Sequence, residues 1–409
     1  MASQLSWLDH DAAAGQRSLQ LLSLFSEPDA RDELGIGGIR DSIADQLFPG
    51  TSTIQTRLRY VFFVPWLMEQ LDASNTSASA FRLAARSSEV RLLKALLANT
   101  APDEPGVIGR ESGEDLKRFP SSVYWTALGS WGLRRARVSQ QQYYATAERR
   151  HAQRGARRMR DDQDMHDGDQ SGLAWDKKLV ELRPAGFPGN ADLALTRGEA
   201  ALLLDRWTLH HGQSLLTWIA QDIAHGNALP DIEQIWLHPR KETFPEAIRL
   251  LIDDAHRLNV LIRGAALLYN LELARLSPPS DAIALERGLE LAAWADEGLP
   301  LCAGWDLEAF WTRVTNKGHT ISTDTQKFVR MWLGLALRHR ADIGASDECR
   351  LLIRDRETNL KRKGNRSRFE NLAAREQWSG KAGLVPLSYR WPVARDFLNE
   401  WHAGWTNAQ

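Results

Sequence analysis

Arg57 and Arg59 stand two positions apart, downstream of Gly35, Gly37 and Gly38 and of the hydroxyls of Thr51, Ser52 and Thr53. Glycine amides, hydroxyls and guanidinium forks are the donors that hold a phosphate or a carboxylate. This is therefore the first stretch where the chain could bind an anion. It lacks the Lys-Ser/Thr pair of a phosphate loop. The simpler reading is a packed helical pair with an internal Arg–Asp network, Asp41 and Asp45 being the nearest carboxylates. The arginines run straight into the apolar stretch Tyr60–Trp66, which has to be buried, and a charge carried into a core needs a partner.

A second polar group is His256, Asn259, Arg263 and Asn270. Their spacing sets them on one face of a helix that is otherwise apolar. Polar side chains there need partners, either a structural hydrogen-bond network or a bound anion or partner protein. If the chain encloses a site, this stripe and the Arg57/Arg59 helix are its two walls. Pro102-Asp103 followed by Asp115-Leu116-Lys117 imitates the carboxylate–lysine spacing of metal-dependent nucleases, but neither half is flanked by the alternating β-branched residues of a hairpin. Asp205, His210, His211 and His225 suggest a metal, yet adjacent histidines on a helix point about 100° apart. Cys302 and Cys349 make neither a disulfide framework nor a zinc site. No P-loop, HExxH, GxSxG or dinucleotide fingerprint is present. No cofactor, metal site or catalytic residue is assigned.

Two cationic clusters point to nucleic acid. Arg134, Arg135 and Arg137 precede Arg149, Arg150, Arg154, Arg157, Arg158 and Arg160, and an acidic run begins at Asp161. Basic against acidic with glycines inside reads as a solvated loop, or as a nucleic-acid arm tuned by its acidic neighbour. Lys361, Arg362, Lys363, Arg366 and Arg368 form the second cluster, at the end of a helix. They exceed what the helix dipole needs, and no acidic run follows, so this is the better nucleic-acid patch.

These residues must be positioned by helices. Apolar residues at three- and four-residue spacing predict helices over Leu5–Phe25, Ile39–Phe48, Ala80–Leu97, Leu215–Ala224, Ala282–Asp296, Leu307–Val314, Thr323–His339 and Asp347–Lys363. Thr51–Thr53 would cap a helix carrying Arg57 and Arg59. Thr196 with Glu199, and Thr243 with Glu246, look like capping boxes, the latter opening the longest helix, Glu246–Leu276. The fold class is mainly α and multi-helical. The expected organisation is an N-terminal helical region, 1–154, a charged linker, 155–172, and a larger helical domain, 173–409, around a long buried helix. The 409 residues carry a formal net charge of −1, so no bulk field attracts polyanions. The sixteen tryptophans are scattered, which suits core anchors better than a stacking surface. Tyr389-Arg390-Trp391 reads as an extended step that clasps the C-terminus. No signal peptide or membrane-length apolar run is present, so a reduced, cytoplasmic protein is expected.

LGIGGIRD, LFPGTSTIQTRLRYVFFVPW, RGAALLYNLELA and LSYRWPVARDFL resemble an uncharacterised bacterial family of similar length, over nearly the whole chain. That family has no established activity. The resemblance implies a genomic setting near phage-defence and DNA-processing genes. Together these readings lead us to expect a non-catalytic accessory subunit that binds DNA or RNA and works with a protein partner, away from membranes. The alternatives are a protein–protein scaffold and an enzyme with a helical-bundle site.

Overall fold

The structure is a computed structural model and describes residues 32–161, 174–277, 280–362 and 365–407. The helix expected over Leu5–Phe25, most of the 155–172 linker with its acidic run, and Lys363 lie outside the described residues. Sixteen α-helices and no strand form among the described residues, so the fold is mainly α, as the apolar spacing indicates. They are α1 (Gly37–Leu47), α2 (Tyr60–Ala73), α3 (Ala78–Asn99), α4 (Pro120–Ser130), α5 (Gln140–Ala145), α6 (Ala147–Asp161) and α7 (Lys177–Glu181). Then come α8 (Arg197–His211), α9 (Leu215–Ala224), α10 (Glu246–Arg275), α11 (Asp281–Ala293) and α12 (Leu307–Val314). The last are α13 (Thr323–Arg338), α14 (Asp347–Lys361), α15 (Leu372–Glu376) and α16 (Trp391–Thr406). No described helix is long and apolar enough to cross a membrane.

The chain forms two compact units. The first holds Leu47–Asp231 and Arg390–Gln409, and the second holds the described residues up to Gln46 with Ile232–Tyr389.

In the first unit α2 is the centre, with every residue from Tyr60 to Met68 buried. Its start differs from the expected one. Thr51 does not cap it, because its hydroxyl donates back to the Phe48 carbonyl. The Leu58 amide, just ahead of the helix, donates instead to the Glu400 carboxylate at 2.8 Å. Arg57 and Arg59 therefore precede the helix rather than riding on it. Tryptophans anchor the neighbours through their indole N–H groups, which need an acceptor once buried. Trp66 donates to the Leu179 carbonyl, Trp131 to Pro49 and Trp401 to Ala200, at 2.7 to 2.9 Å. Gly50 makes the Trp131 contact feasible. Its φ is +81°, and a Cβ there would stand 2.3 Å from the Trp131 indole nitrogen.

In the second unit α10 is the axis, buried along most of its length. The Thr243 capping box does not form: Pro245 precedes the first turn, and the Thr243 hydroxyl donates to the Arg240 carbonyl. The Thr196–Glu199 box of the first unit does form. Gly264 admits Trp294 against the α10 backbone, where a Cβ would lie 2.2 Å from the indole ring. The same indole donates to the Val260 carbonyl and stacks at 6.2 Å on Trp332. Tyr389, the last residue of this unit, and Arg390, which belongs to the first, are left-handed rather than extended, with φ of 50° and 65°. Tyr389 and Trp391 are both buried.

Candidate nucleic-acid interface

The glycine-rich loop does not wait for an external anion. Gly37 and Gly38 lie inside α1, and the amides of Ile36 and Gly37 donate to the Asp32 carboxylate at 2.9 and 2.6 Å. A Cβ on Gly37 would come within 2.9 Å of that carboxylate, so the glycine lets the chain's own acid cap the helix. Arg57 pairs with Glu104 and, at 2.7 Å, with Glu400. Arg59 pairs with Asp192 at 2.5 Å and Glu199 at 3.0 Å. An internal ion network is what forms. Its acids come from distant helices and loops, whereas Asp41 pairs with Arg40, and Asp45 lies 3.7 Å from His319.

The α10 stripe is spent on packing for the most part. Asn270 is fully buried, donating to the carbonyls of Ala266 and Ala382 and accepting from Trp378 and Ala382. Asn259 accepts from the Leu387 amide at 2.9 Å. The two asparagines thus pin the 382–387 segment along α10. His256 stacks on Trp236 at 4.8 Å, and burial, then Lys241, lowers its pKa. Arg263 is exposed. Arg57 and Arg59 belong to the first unit, and His256, Asn259 and Arg263 to the second.

Elsewhere, His211 meets the Ser130 hydroxyl at 2.9 Å, but the same ring nitrogen also lies 2.8 Å from the Ser130 carbonyl. A nitrogen that donates to that carbonyl is not free to act as a base. Burial pushes the Cys302 thiol up to about 12, which leaves it un-ionised near neutrality. Asp103, Asp115 and Lys117 are exposed on a turn-rich segment with no hairpin beneath them. No group of three metal-binding side chains occurs among the described residues.

Much of the second cationic cluster turns inward. Lys361 pairs with Glu33 and, at 3.1 Å, with Glu357. Arg368 is buried and pairs with Glu33 at 2.9 Å. The Ser367 hydroxyl and the Arg368 amide both donate to Glu357, whose pKa is raised by burial. Arg362 and Arg366 face solvent.

The first cluster is also partly folded in. The segment read as a loop is helix α6, and Arg150 and Arg154 point back to Asp72 and Glu69. Arg134 lies 4.8 Å from the centre of the Trp125 ring and donates to the carbonyls of Ala136 and Val138. Burial lowers its pKa. Arg135 reaches Asp176 at 3.4 Å. Arg137 and Arg149 are exposed.

A run of exposed cations lies on α3, which the sequence reading passed over. Arg82, Arg86, Arg91 and Lys94 are all exposed on it. Its only acid, Glu89, is buried. The signal was available, because Phe81, Ala85, Glu89, Leu92 and Leu96 share the core-facing spacing and leave the cations outside. Lys94 is offset by Glu114 at 2.7 Å, a pair about two-thirds exposed on both sides. The Glu148 carboxylate of α6 accepts the Ala78 amide at 2.7 Å, and Arg150 lies over Phe81. The start of α3, with Arg82, and the start of α6, with Arg149, therefore meet.

Glu89 accepts the amide and hydroxyl of Ser121 at the start of α4, at 2.7 and 3.0 Å. Burial nonetheless pushes its carboxyl up to about 7 from an ordinary 4.5. A folded-state pKa raised in this way means that the folded state holds the extra proton. Stability from this group is therefore complete below the ordinary carboxylate range and falls as pH rises through about 7. In Glu89→Gln the amide oxygen can still accept the Ser121 amide, and the NH2 can donate to the Ser121 hydroxyl oxygen. Measured by urea unfolding, the variant is expected to gain on the wild type between pH 4.5 and pH 8, by roughly 3 kcal/mol at most. A constant difference across that range would place the titration elsewhere.

The family model for a family of unknown function, DUF6361, matches residues 2–404 of the chain. No curated protein and no solved structure matches it.

Proposed function

The chain belongs to DUF6361, a family of unknown function, and from the surface of its first unit we propose that it is a non-catalytic nucleic-acid-associated subunit. It acts in the cytoplasm with a protein partner, in the phage-defence or DNA-processing setting that the family resemblance implies. The observation that carries this reading is α3, a 22-residue helix whose exposed charges are all positive while its only acid faces the core. Arg149 extends that surface at the start of α6, and Arg137 is a further exposed cation of the same unit. Arg82 and Arg86, one turn apart on α3, suit phosphates, and binding through such cations releases counterions and weakens steeply with salt. The near-neutral total charge is no obstacle, since the contact depends on the local face.

The test is binding of labelled single- and double-stranded DNA and RNA across a salt series. Arg82→Glu with Arg86→Glu is expected to abolish binding at moderate salt, with the melting temperature measured alongside because Arg86 also lies over Phe119 and donates to the Glu114 carbonyl. Removing one cation at a time should lower the salt slope by about 1 each. Absence of binding at low salt would sink the reading. Arg362→Glu serves as the comparison on the second unit.

A scaffold reading has its own support. Leu285 and Leu289 are 68% and 65% exposed, one turn apart on α11. The exposed charges beside them are acidic, while Arg287 is buried between Glu286 and Glu290. A partner lost on Leu285→Glu with Leu289→Glu, in a protein without nucleic-acid affinity, would favour that reading.

A further inference from the structure

Helices α13 and α14 leave a groove of about 470 Å³ on the second unit. Met331, Gly334 and Leu335 line it from α13, and Leu351 and Leu352 from α14. Met331 is 43% exposed and Leu351 56%. A Cβ built on Gly334 would meet nothing within 4 Å. Arg338 and Glu348 stand at one end and Asp355 at the other, so the middle is apolar. A groove between two helices of this kind takes an amphipathic segment laid along it.

The other end of the same helix pair already holds the chain as it arrives from the N-terminal side. Arg356 of α14 donates to the Leu34 carbonyl at 2.8 Å, and Thr325 of α13 donates to the Gly35 carbonyl at 3.3 Å. Thr325 precedes Met331 along α13 by a rise of about 9 Å. Upstream, the chain carries Leu19, Leu21, Leu22, Leu24 and Phe25, with no charged residue from Ser18 to Ser26. The residues 26–31 between this stretch and Asp32 can span up to about 20 Å. The groove is therefore within the tether's reach, and its apolar centre with charged ends matches an uncharged stretch flanked by Arg17 and Glu27.

We propose that the leucine-rich stretch Leu19–Phe25 occupies the α13–α14 groove of its own chain. An intramolecular tenant covers Met331 and Leu351, two of the large apolar side chains this unit otherwise presents to solvent. It is also a tenant that an external helix of the same kind would have to displace.

The test uses the full chain with Cys302→Ser and Cys349→Ala. Met331→Cys is paired in turn with Leu19→Cys, Leu22→Cys and Phe25→Cys, and the protein is oxidised in dilute solution. At least one pair is expected to close an intramolecular disulfide, in about tenfold higher yield than the same cysteines paired with Leu83→Cys, since proximity raises effective concentration. Gly334→Trp, which fills the groove, should suppress that disulfide. Equal yields with Leu83→Cys, or an undiminished yield with Gly334→Trp, would overturn the proposal. So would disulfides formed only between chains, which would assign the groove to a second copy. Hydrogen exchange on chains with native cysteines is the check that no cysteine variant can spoil. Amides of Leu19–Phe25 should exchange about tenfold more slowly in the native sequence than in Gly334→Trp. Identical rates would also refute it.

Discussion

Glu33→Ala is expected to destabilise the second unit by about 3 to 5 kcal/mol, the usual result of breaking a buried ion pair from one side. Glu33 is 4% exposed and holds both Lys361 and Arg368. Without it two cations share Glu357, a carboxylate whose own pKa is already raised by burial. Urea unfolding should show a lower midpoint with an unchanged slope. Glu33→Gln should cost less, because its amide oxygen can still accept from one of the two. A cycle with Arg368→Ala should reveal strong coupling, and additivity would show that the pair is not an energetic unit. The same geometry dictates how the second cationic cluster can be tested. Reversing Lys361 or Arg368 to glutamate sets a third carboxylate against Glu33 and Glu357. Any loss of nucleic-acid binding would then report unfolding. Arg362, exposed at the end of α14, is the cluster position whose reversal reads the surface.

The contrast between those cations and α10 shows what a sequence can reveal here. The α10, α9 and α12 helices follow from apolar spacing alone, because burial of one face is a local, repeating requirement. The Leu215–Ala224 and Leu307–Val314 boundaries match the expected ones, and α10 ends one residue early at Arg275. Helix starts are less legible where the cap comes from elsewhere in the chain. Thr51 looked like a cap, but the Leu58 amide is satisfied by Glu400, 342 positions away. Likewise Glu89 receives the Ser121 amide and Glu148 the Ala78 amide. Local rules see a hydroxyl at the right offset, whereas the fold supplies a stronger, charged acceptor. Charges are misread for the same reason. Lys361 looks like a surface cation at a helix end, and nothing near it in sequence announces Glu33, 328 positions away. The α3 cations are the opposite case, because the helical spacing that buries Glu89 also shows which charges stay outside.

The largest expected effect in the first unit is at Arg59. It is 5% exposed and Glu199 is fully buried. Its Nε and Nη2 meet Glu199 while Nη1 meets Asp192. Arg59→Ala should cost about 3 to 5 kcal/mol, since it strands a buried carboxylate. Arg59→Lys should recover little, because one ammonium cannot reproduce a fork that serves two acids. Arg57→Ala is expected to cost less, since Arg57 is more exposed than Arg59 and neither Glu104 nor Glu400 is as buried as Glu199. The pH dependence separates loss of charge from loss of packing. Burial raises the Glu199 pKa even with Arg59 present, and removing the cation must raise it further. In Arg59→Ala, then, Glu199 takes up a proton on folding over a wider range, and stability falls as pH rises through that range. The gap between wild type and variant should narrow on acidification and widen towards pH 8. Arg59→Ala combined with Glu199→Gln should close much of the gap at the alkaline end, because the neutral amide can still accept the Thr196 amide that Glu199 holds at 2.8 Å. A penalty that is the same at every pH, and that the second substitution leaves untouched, would assign the loss to the packing of the Arg59 guanidinium over the Phe63 ring.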